Sequence, residues 1–282
     1  MKKYDEIEIL KDYNENLTIK DIMLKHNIKS IKTIYDIKKR NGREHNIPNK
    51  KYQVNENYFE KIDNEEKAYW LGFLYADGNV RMHNDRSGIL KLKLKQSDRS
   101  HIEKFNECLN SNYPIKDGME IVKVKKREYK CYYSVVCIYN TKMVKDLYNL
   151  GCMNNKTFKI KFPEFLDNKL ISHFIRGYFD GDGCITVKNK KNNNNKGRVS
   201  VISASYDFLA ELNDILIRCI NVTNNKIADG KTYHTLNWGG LTDVENIHYY
   251  LYTDSTIYLD RKRKKYDDIL IVNNSVKKYR KK

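Results

Sequence analysis

Residues 89–96 read Ile-Leu-Lys-Leu-Lys-Leu-Lys-Gln, with apolar and basic positions alternating cleanly. A period of two puts the leucines on one face of a strand and the lysines on the other. One face is then suited to a core and the other to water or phosphates. Around this strand the pattern predicts a helix over 65–77, a strand over 79–83, a helix from Ser97 to about 110, strands near 119–126 and 129–139, and a helix over 141–150. The order then repeats: a helix ending at Asp182, strands near 184–189 and 197–204, a helix over 206–220, strands near 225–229 and 232–238, and a helix from about Leu241. The basic block Arg261-Lys262-Arg263-Lys264-Lys265 runs into a short helix and a basic tail.

Ahead of this body, residues 1–43 predict three short helices. Thr18 is placed to cap the second, with Asp21 opposite it as a capping-box variant, and Ser30 to cap the third. Asn41-Gly42 ends the third helix, which carries Lys32, Lys38, Lys39 and Arg40 beside Ile31, Ile34 and Ile37. The pattern resembles a helix-turn-helix, whose last helix enters the major groove; a small helical cap with no DNA contact is the alternative. Residues 44–57 are polar, with one proline, and read as a linker.

Two segments are near copies: Tyr69-Trp-Leu-Gly-Phe-Leu-Tyr-Ala-Asp-Gly78 and Phe174-Ile-Arg-Gly-Tyr-Phe-Asp-Gly-Asp-Gly183. Gly72 and Ala76 share one helix face, as do Gly177 and Gly181. Small residues there let two helix backbones approach closely. Gly78 and Gly183 are expected to end the helices in the left-handed conformation. Asp77 and Asp182 then stand at helix C-termini, the negative end of the dipole, where a divalent cation relieves both the dipole and their mutual repulsion. The two aspartates are 105 residues apart, room for a compact α/β unit after each copy.

The paired segments resemble the two motifs of the single-chain LAGLIDADG homing endonucleases, over roughly residues 58–270. The resemblance implies an α+β body of two pseudo-symmetric αββαββα halves, 58–166 and 167–282, forming a DNA-binding saddle, preceded by the all-α helix-turn-helix. It implies that Asp77 and Asp182 bind metal. Tyr75 departs from the family pattern by replacing an earlier Asp, which Asp180 retains in the second copy. Around the metals the resemblance points to Gln96 and Ser203 as matching polar residues and to Lys156 and Lys262 as basic ones. The implied reaction is Mg²⁺- or Mn²⁺-dependent hydrolysis of both strands of a duplex. Retention of both aspartates speaks against the alternative, a nuclease-dead maturase or transcription regulator on the same scaffold. A recombinase would need a catalytic Ser or Tyr domain, and none is recognisable.

Charge extends this picture. The chain carries 53 Lys and Arg against 36 Asp and Glu, a net +17, which favours a polyanionic partner. The candidate DNA-facing residues are Lys91, Lys93 and Lys95 on the alternating strand, and Lys188, Lys190, Lys191, Lys196 and Arg198 around the polar segment 190–196, besides the third-helix residues named above. Six scattered cysteines without a Cys-x-x-Cys pair, and seven histidines without a cluster, speak against a zinc site or disulfide framework. Without an 18-residue apolar run or an apolar signal region, the expectation is an intracellular, non-membrane protein, cytoplasmic or organellar and not secreted. It should act as a monomer on an extended asymmetric duplex site.

Overall fold

The computed structural model describes residues 4–14, 17–41, 52–83, 87–125, 127–153, 160–188 and 196–280. They fall into two compact units, Met1–Tyr52 and Gln53–Lys282. The first holds α1 (Glu6–Asn14), α2 (Ile19–Lys25) and α3 (Ile31–Arg40). Thr18 caps α2 by accepting from the Asp21 amide, while its hydroxyl donates to the Asp21 carboxylate at 2.6 Å. Ser30 caps α3, and Asn27 makes the turn between the two helices at φ 50°. Ile9, Leu10, Ile22, Ile28, Ile34 and Ile37 form a small core of its own.

The second unit contains two halves of the same order. The first runs α4 (Glu65–Asp77), β1 (Gly78–His83), β2 (Ser87–Lys95), a 3₁₀ turn (Gln96–Asp98), α5 (Arg99–Cys108), β3 (Ile115–Val124), β4 (Arg127–Tyr139) and α6 (Thr141–Asn149). The second runs α7 (Asn168–Asp182), β5 (Gly183–Lys188), β6 (Lys196–Ser203), α8 (Tyr206–Ile220), β7 (Ala228–Asp229), β8 (His234–Gly239) and α9 (Leu241–Tyr252), followed by α10 (Asp260–Arg280). Each half forms a four-stranded antiparallel sheet, β1-β2-β4-β3 and β5-β6-β8-β7. The alternation in β2 is realised: Leu90, Leu92 and Leu94 are buried, while Lys91, Lys93 and Lys95 lie on the opposite face.

The motif helices α4 and α7 pack along one another with no room between their backbones. A β-carbon added at Gly72 would collide with the Phe174 carbonyl, and one at Gly177 with the Tyr69 carbonyl. Gly181 faces Ala76 in the same way. The small-residue faces therefore meet as the repeat implied.

Four expectations change. Gly78 (φ −72°, ψ 138°) and Gly183 (φ −77°, ψ 151°) are extended, not left-handed, because each helix feeds directly into a strand. Glycine is needed there for space: a β-carbon would lie 2.6 Å from the Leu74 carbonyl oxygen at Gly78, and 2.5 Å from that of Phe179 at Gly183. Strand β3 starts at Ile115 rather than near 119; Lys116-Asp117-Gly118 hides the start, and Gly118 makes way for the Tyr133 ring, whose Cζ a β-carbon would approach to 2.5 Å. β7 shrinks to two residues, and side-chain amides bond in the segment ahead of it, Asn213 of α8 to Asn224 and Asn225 to the Thr223 carbonyl. The expected short helix before the basic tail instead runs 21 residues as α10, its first half anchored by buried Tyr266 and Ile269.

Candidate nuclease site

Asp77 is the last residue of α4 and Asp182 the last of α7. Because the two helices touch along their small faces, their carboxylates are delivered to one place. The site of a β-carbon on Gly181 lies 3.5 Å from Asp77 Oδ2, so the first-half carboxylate rests on the last turn of the second-half helix. Burial raises the Tyr178 phenol strongly, and Asp182 and Asp77 both add to the shift, so both carboxylates lie within electrostatic range of one hydroxyl.

Lys262 joins them. Its ammonium donates to the Phe179 carbonyl at 2.7 Å and the Gly181 carbonyl at 2.9 Å, capping the last turn of α7. Burial draws its pKa down to about 8, opposed by the charges of Asp180, Asp77 and Asp182. A 5 % exposed lysine thus keeps a positive charge beside both motif aspartates.

Asp180 lies behind this group. It is fully buried and accepts from Tyr69 Oη (2.8 Å), Tyr252 Oη (2.7 Å) and the Leu259 amide (2.7 Å). Burial raises its pKa, with Lys262 the leading opposing influence. Tyr75 takes the equivalent place in the first half, where its hydroxyl donates to the Leu150 carbonyl at 2.5 Å. Both residues tie the motif helix to the segment that follows the half's last helix. Asp180 accepts an amide, whereas Tyr75 donates to a carbonyl.

The polar pair does not match in register. Gly78 pairs with Leu92, and Gly183 with Val201, so β2 and β6 are offset by 109 positions and the counterpart of Gln96 is Ser205. Gln96 is exposed at the end of β2, beside Asp117, whose carboxyl is held below the usual range first by the Ser134 hydroxyl, then by Arg99, with Gln96 adding to them. Ser205 is buried as the N-cap of α8, accepting from the Phe208 amide and donating to the Ile160 carbonyl. Ser203 is buried as well, accepting from the Ser205 amide beside Tyr178.

The basic residues divide similarly. Lys95 and Arg198 are exposed on the outer faces of their sheets, and Lys91 is half-buried there. Lys93 is held by Glu120 at 2.6 Å and lies over the Tyr133 ring. Lys38 does not reach outward: it is buried, with its ammonium 3.6 Å from the centre of the Tyr13 ring. Its stem packs in the three-helix core, so helical spacing alone misassigned it. Lys32, Lys39 and Arg40 are exposed, and Arg40 pairs with Glu6. Lys156, Lys190 and Lys191, with the side chains of Lys188 and Lys196, lie outside the described residues.

Residues 169–282 match the LAGLIDADG-like domain. The structure is similar to that of the LAGLIDADG homing endonuclease I-GzeII in complex with DNA target, at 12% identity and a TM-score of 0.53, covering 77% of this chain and 92% of that one. The body of this chain has the LAGLIDADG homing-endonuclease fold. By sequence, 196 residues are 25% identical to part of a probable translation initiation factor IF-2 of Methanocaldococcus jannaschii, covering 65% of this chain. Another 25% match runs over 174 residues of the replication factor C small subunit of the same organism, covering 58% of this chain. The matches span only 15% and 8% of those two relatives.

On the LAGLIDADG fold, the residues suited to a divalent cation are Asp77 and Asp182. Among the described residues no three His, Cys, Asp or Glu side chains gather into a protein-only cage. Two carboxylates at adjoining helix ends fit an ion that completes its shell with water and phosphate oxygens, the habit of Mg²⁺. Among the described residues no helix is long and apolar enough to cross a membrane.

Proposed function

We propose that this chain is a monomeric, site-specific endonuclease that hydrolyses both strands of duplex DNA with Mg²⁺ or Mn²⁺. The observation that carries the reading is the meeting of Asp77 and Asp182 at the touching ends of α4 and α7, with the Lys262 ammonium fixed beside them. A divalent ion bound there supplies an acidified water and neutralises charge on the phosphate. The chain's own groups do the rest. Asp77 and Asp182 hold the ion, one from each half. Lys262 contributes fixed positive charge in a water-poor pocket, where it acts more strongly than in solvent. Gln96, exposed beside Asp117, orders water at the first-half end, and Ser205 takes the corresponding position by register in the second. Lys156 is the first-half partner of Lys262.

Duplex DNA lies along the outer faces of the two sheets, which form a saddle. Lys91, Lys95 and Arg198 meet phosphates or base edges, and α3 extends the footprint through Lys32 and Lys39. The halves have diverged, so the target is asymmetric. Two relatives with different printed names each match more than half of this chain over only a small part of their own length, which supports an inserted, mobile element as its setting. Tyr75, the one motif feature favouring a nuclease-dead binder, has a structural reason of its own in its bond to Leu150.

The test is cleavage of a randomised duplex library with Mg²⁺, with the Asp77→Asn, Asp182→Asn double variant alongside. Discrete cuts by the wild type alone are expected. Selective retention of DNA by both proteins, with no cut, would overturn the enzymatic reading.

A further inference from the structure

The segment that carries Lys262 does not rest on its own half alone. After α9 the chain runs as a strap from Thr253 to Lys262 and is fastened to the first half at three points. The Thr256 amide donates to Glu65 Oε1 at 2.9 Å, at the start of α4. Asp260 accepts from Lys104 of α5 at 3.0 and 3.1 Å. Arg261 Nε reaches both oxygens of Asp98, at 3.0 and 2.8 Å.

These clasps differ in weight. Lys104 and Asp260 are both solvent-exposed, so their pair is worth little. Asp98 is only 6 % exposed and N-caps α5 without bonding a backbone amide. Its carboxylate is spent on Arg261, the residue next to Lys262. Asp98 is also two residues from Gln96, in the same 3₁₀ turn.

The arrangement has a counterpart. In the other half, Ser205 caps α8 and donates to Ile160 at 2.7 Å, on the segment that follows α6. At each of these helix starts, the N-cap residue of one half grips the strap of the other. The grip is an ion pair in one case and a neutral hydrogen bond in the other.

Resting on the endonuclease reading above, we infer that Asp98 and Arg261 are a positioning pair: the first half, through Asp98, sets the second half's Lys262 against the paired carboxylates. Neither residue touches the reacting atoms; both act through the register of the strap. Loss of the pair misplaces Lys262 while leaving the α4–α7 seam intact. One strand of the duplex should then be cut more slowly than the other.

The test has two arms, using the full chain and the variants Asp98→Asn, Arg261→Gln and their combination. The first is amine acylation read by mass spectrometry without DNA. Lys262 labelling should rise several-fold in each variant, with Lys142 as an unchanged internal control. The second is end-labelled cleavage of each strand. One strand should slow on the order of 10- to 100-fold, as small misplacements do, so that nicked product accumulates. The double variant should do no more than the worse single. Unchanged Lys262 labelling would overturn the inference, as would equal slowing of both strands with a lowered melting temperature, the mark of a merely structural role. If the wild type cuts nothing, the endonuclease reading fails, and the labelling arm still decides the positioning of Lys262.

Discussion

The two halves of the body share a strand order and a seam but differ in nearly everything attached to them. The first half pairs β3 and β4 over ten positions, from Ile115↔Val136 to Val124↔Arg127. Beyond the sheet this ribbon exposes Met119, Ile121, Val124, Tyr129 and Tyr132. The second half pairs only Ala228 and Asp229 with β8. The outer face of β2 presents three lysines, whereas β6 presents Arg198, Ser200 and Ile202. Asp180 anchors one strap and Tyr75 the other. The backbone contact at the seam is what neither half can vary, because any β-carbon at Gly72 or Gly177 lands on the opposite helix. Side chains away from the seam are free to diverge.

The seam gives the largest expected effect. Gly177→Val should destabilise the body by more than about 4 kcal/mol, and Gly72→Val similarly, as measured by urea unfolding. Parity between the two would show that the seam is the symmetric element. Next come the two strap anchors. Asp180→Ala leaves three buried donors without their acceptor and removes the carboxylate charge that offsets buried Lys262, and should cost about 3–5 kcal/mol, whereas Tyr75→Phe removes one hydrogen bond and should cost about 1–2 kcal/mol. Equal losses would erase the distinction drawn between them.

A pH effect sharpens the link across the seam. His101 of α5 bonds Tyr69 Oη, which in turn donates to Asp180. Burial pulls the His101 pKa down to about 3 from an ordinary 6.5, and Lys104 and Arg261 add to the shift. The unfolded chain therefore takes up a proton that the folded chain refuses. Stability is complete above pH 6.5 and is lost as the pH falls toward 3, at about 1.4 kcal/mol per unit. Between pH 7 and 5 the wild type should lose about 2 kcal/mol more than His101→Gln by urea unfolding; identical losses would mean that His101 titrates as it does in solvent.

The smallest effect concerns phosphate contacts. Lys95→Ala should weaken binding evenly across sequences and lower the salt slope by about 0.9. Lys93→Ala should change it less, because Glu120 already pairs with that ammonium.

What the sequence revealed follows from how local each signal is. Repeats, caps and the alternation of β2 depend on neighbours a few residues apart, and they carried the seam, the places of Asp77 and Asp182 at the helix ends, Thr18, Ser30 and the leucine face. The match of Gln96 with Ser203 failed because register is set by pairing between distant strands, and Ser205 emerges only from Gly183↔Val201. Lys38 was misplaced because a lysine stem on a short helix can cover a core while its head finds an aromatic ring. The Asp98–Arg261 clasp joins residues 163 positions apart and leaves no local trace.

The most direct measurement is on Asp182→Asn alone, comparing Mg²⁺-dependent cleavage of the cognate duplex with binding of that duplex in Ca²⁺. Cleavage should fall to background while affinity and melting temperature stay near wild type. Retained cleavage, or equal loss of cleavage, binding and stability, would contradict a two-carboxylate nuclease centre at the ends of α4 and α7.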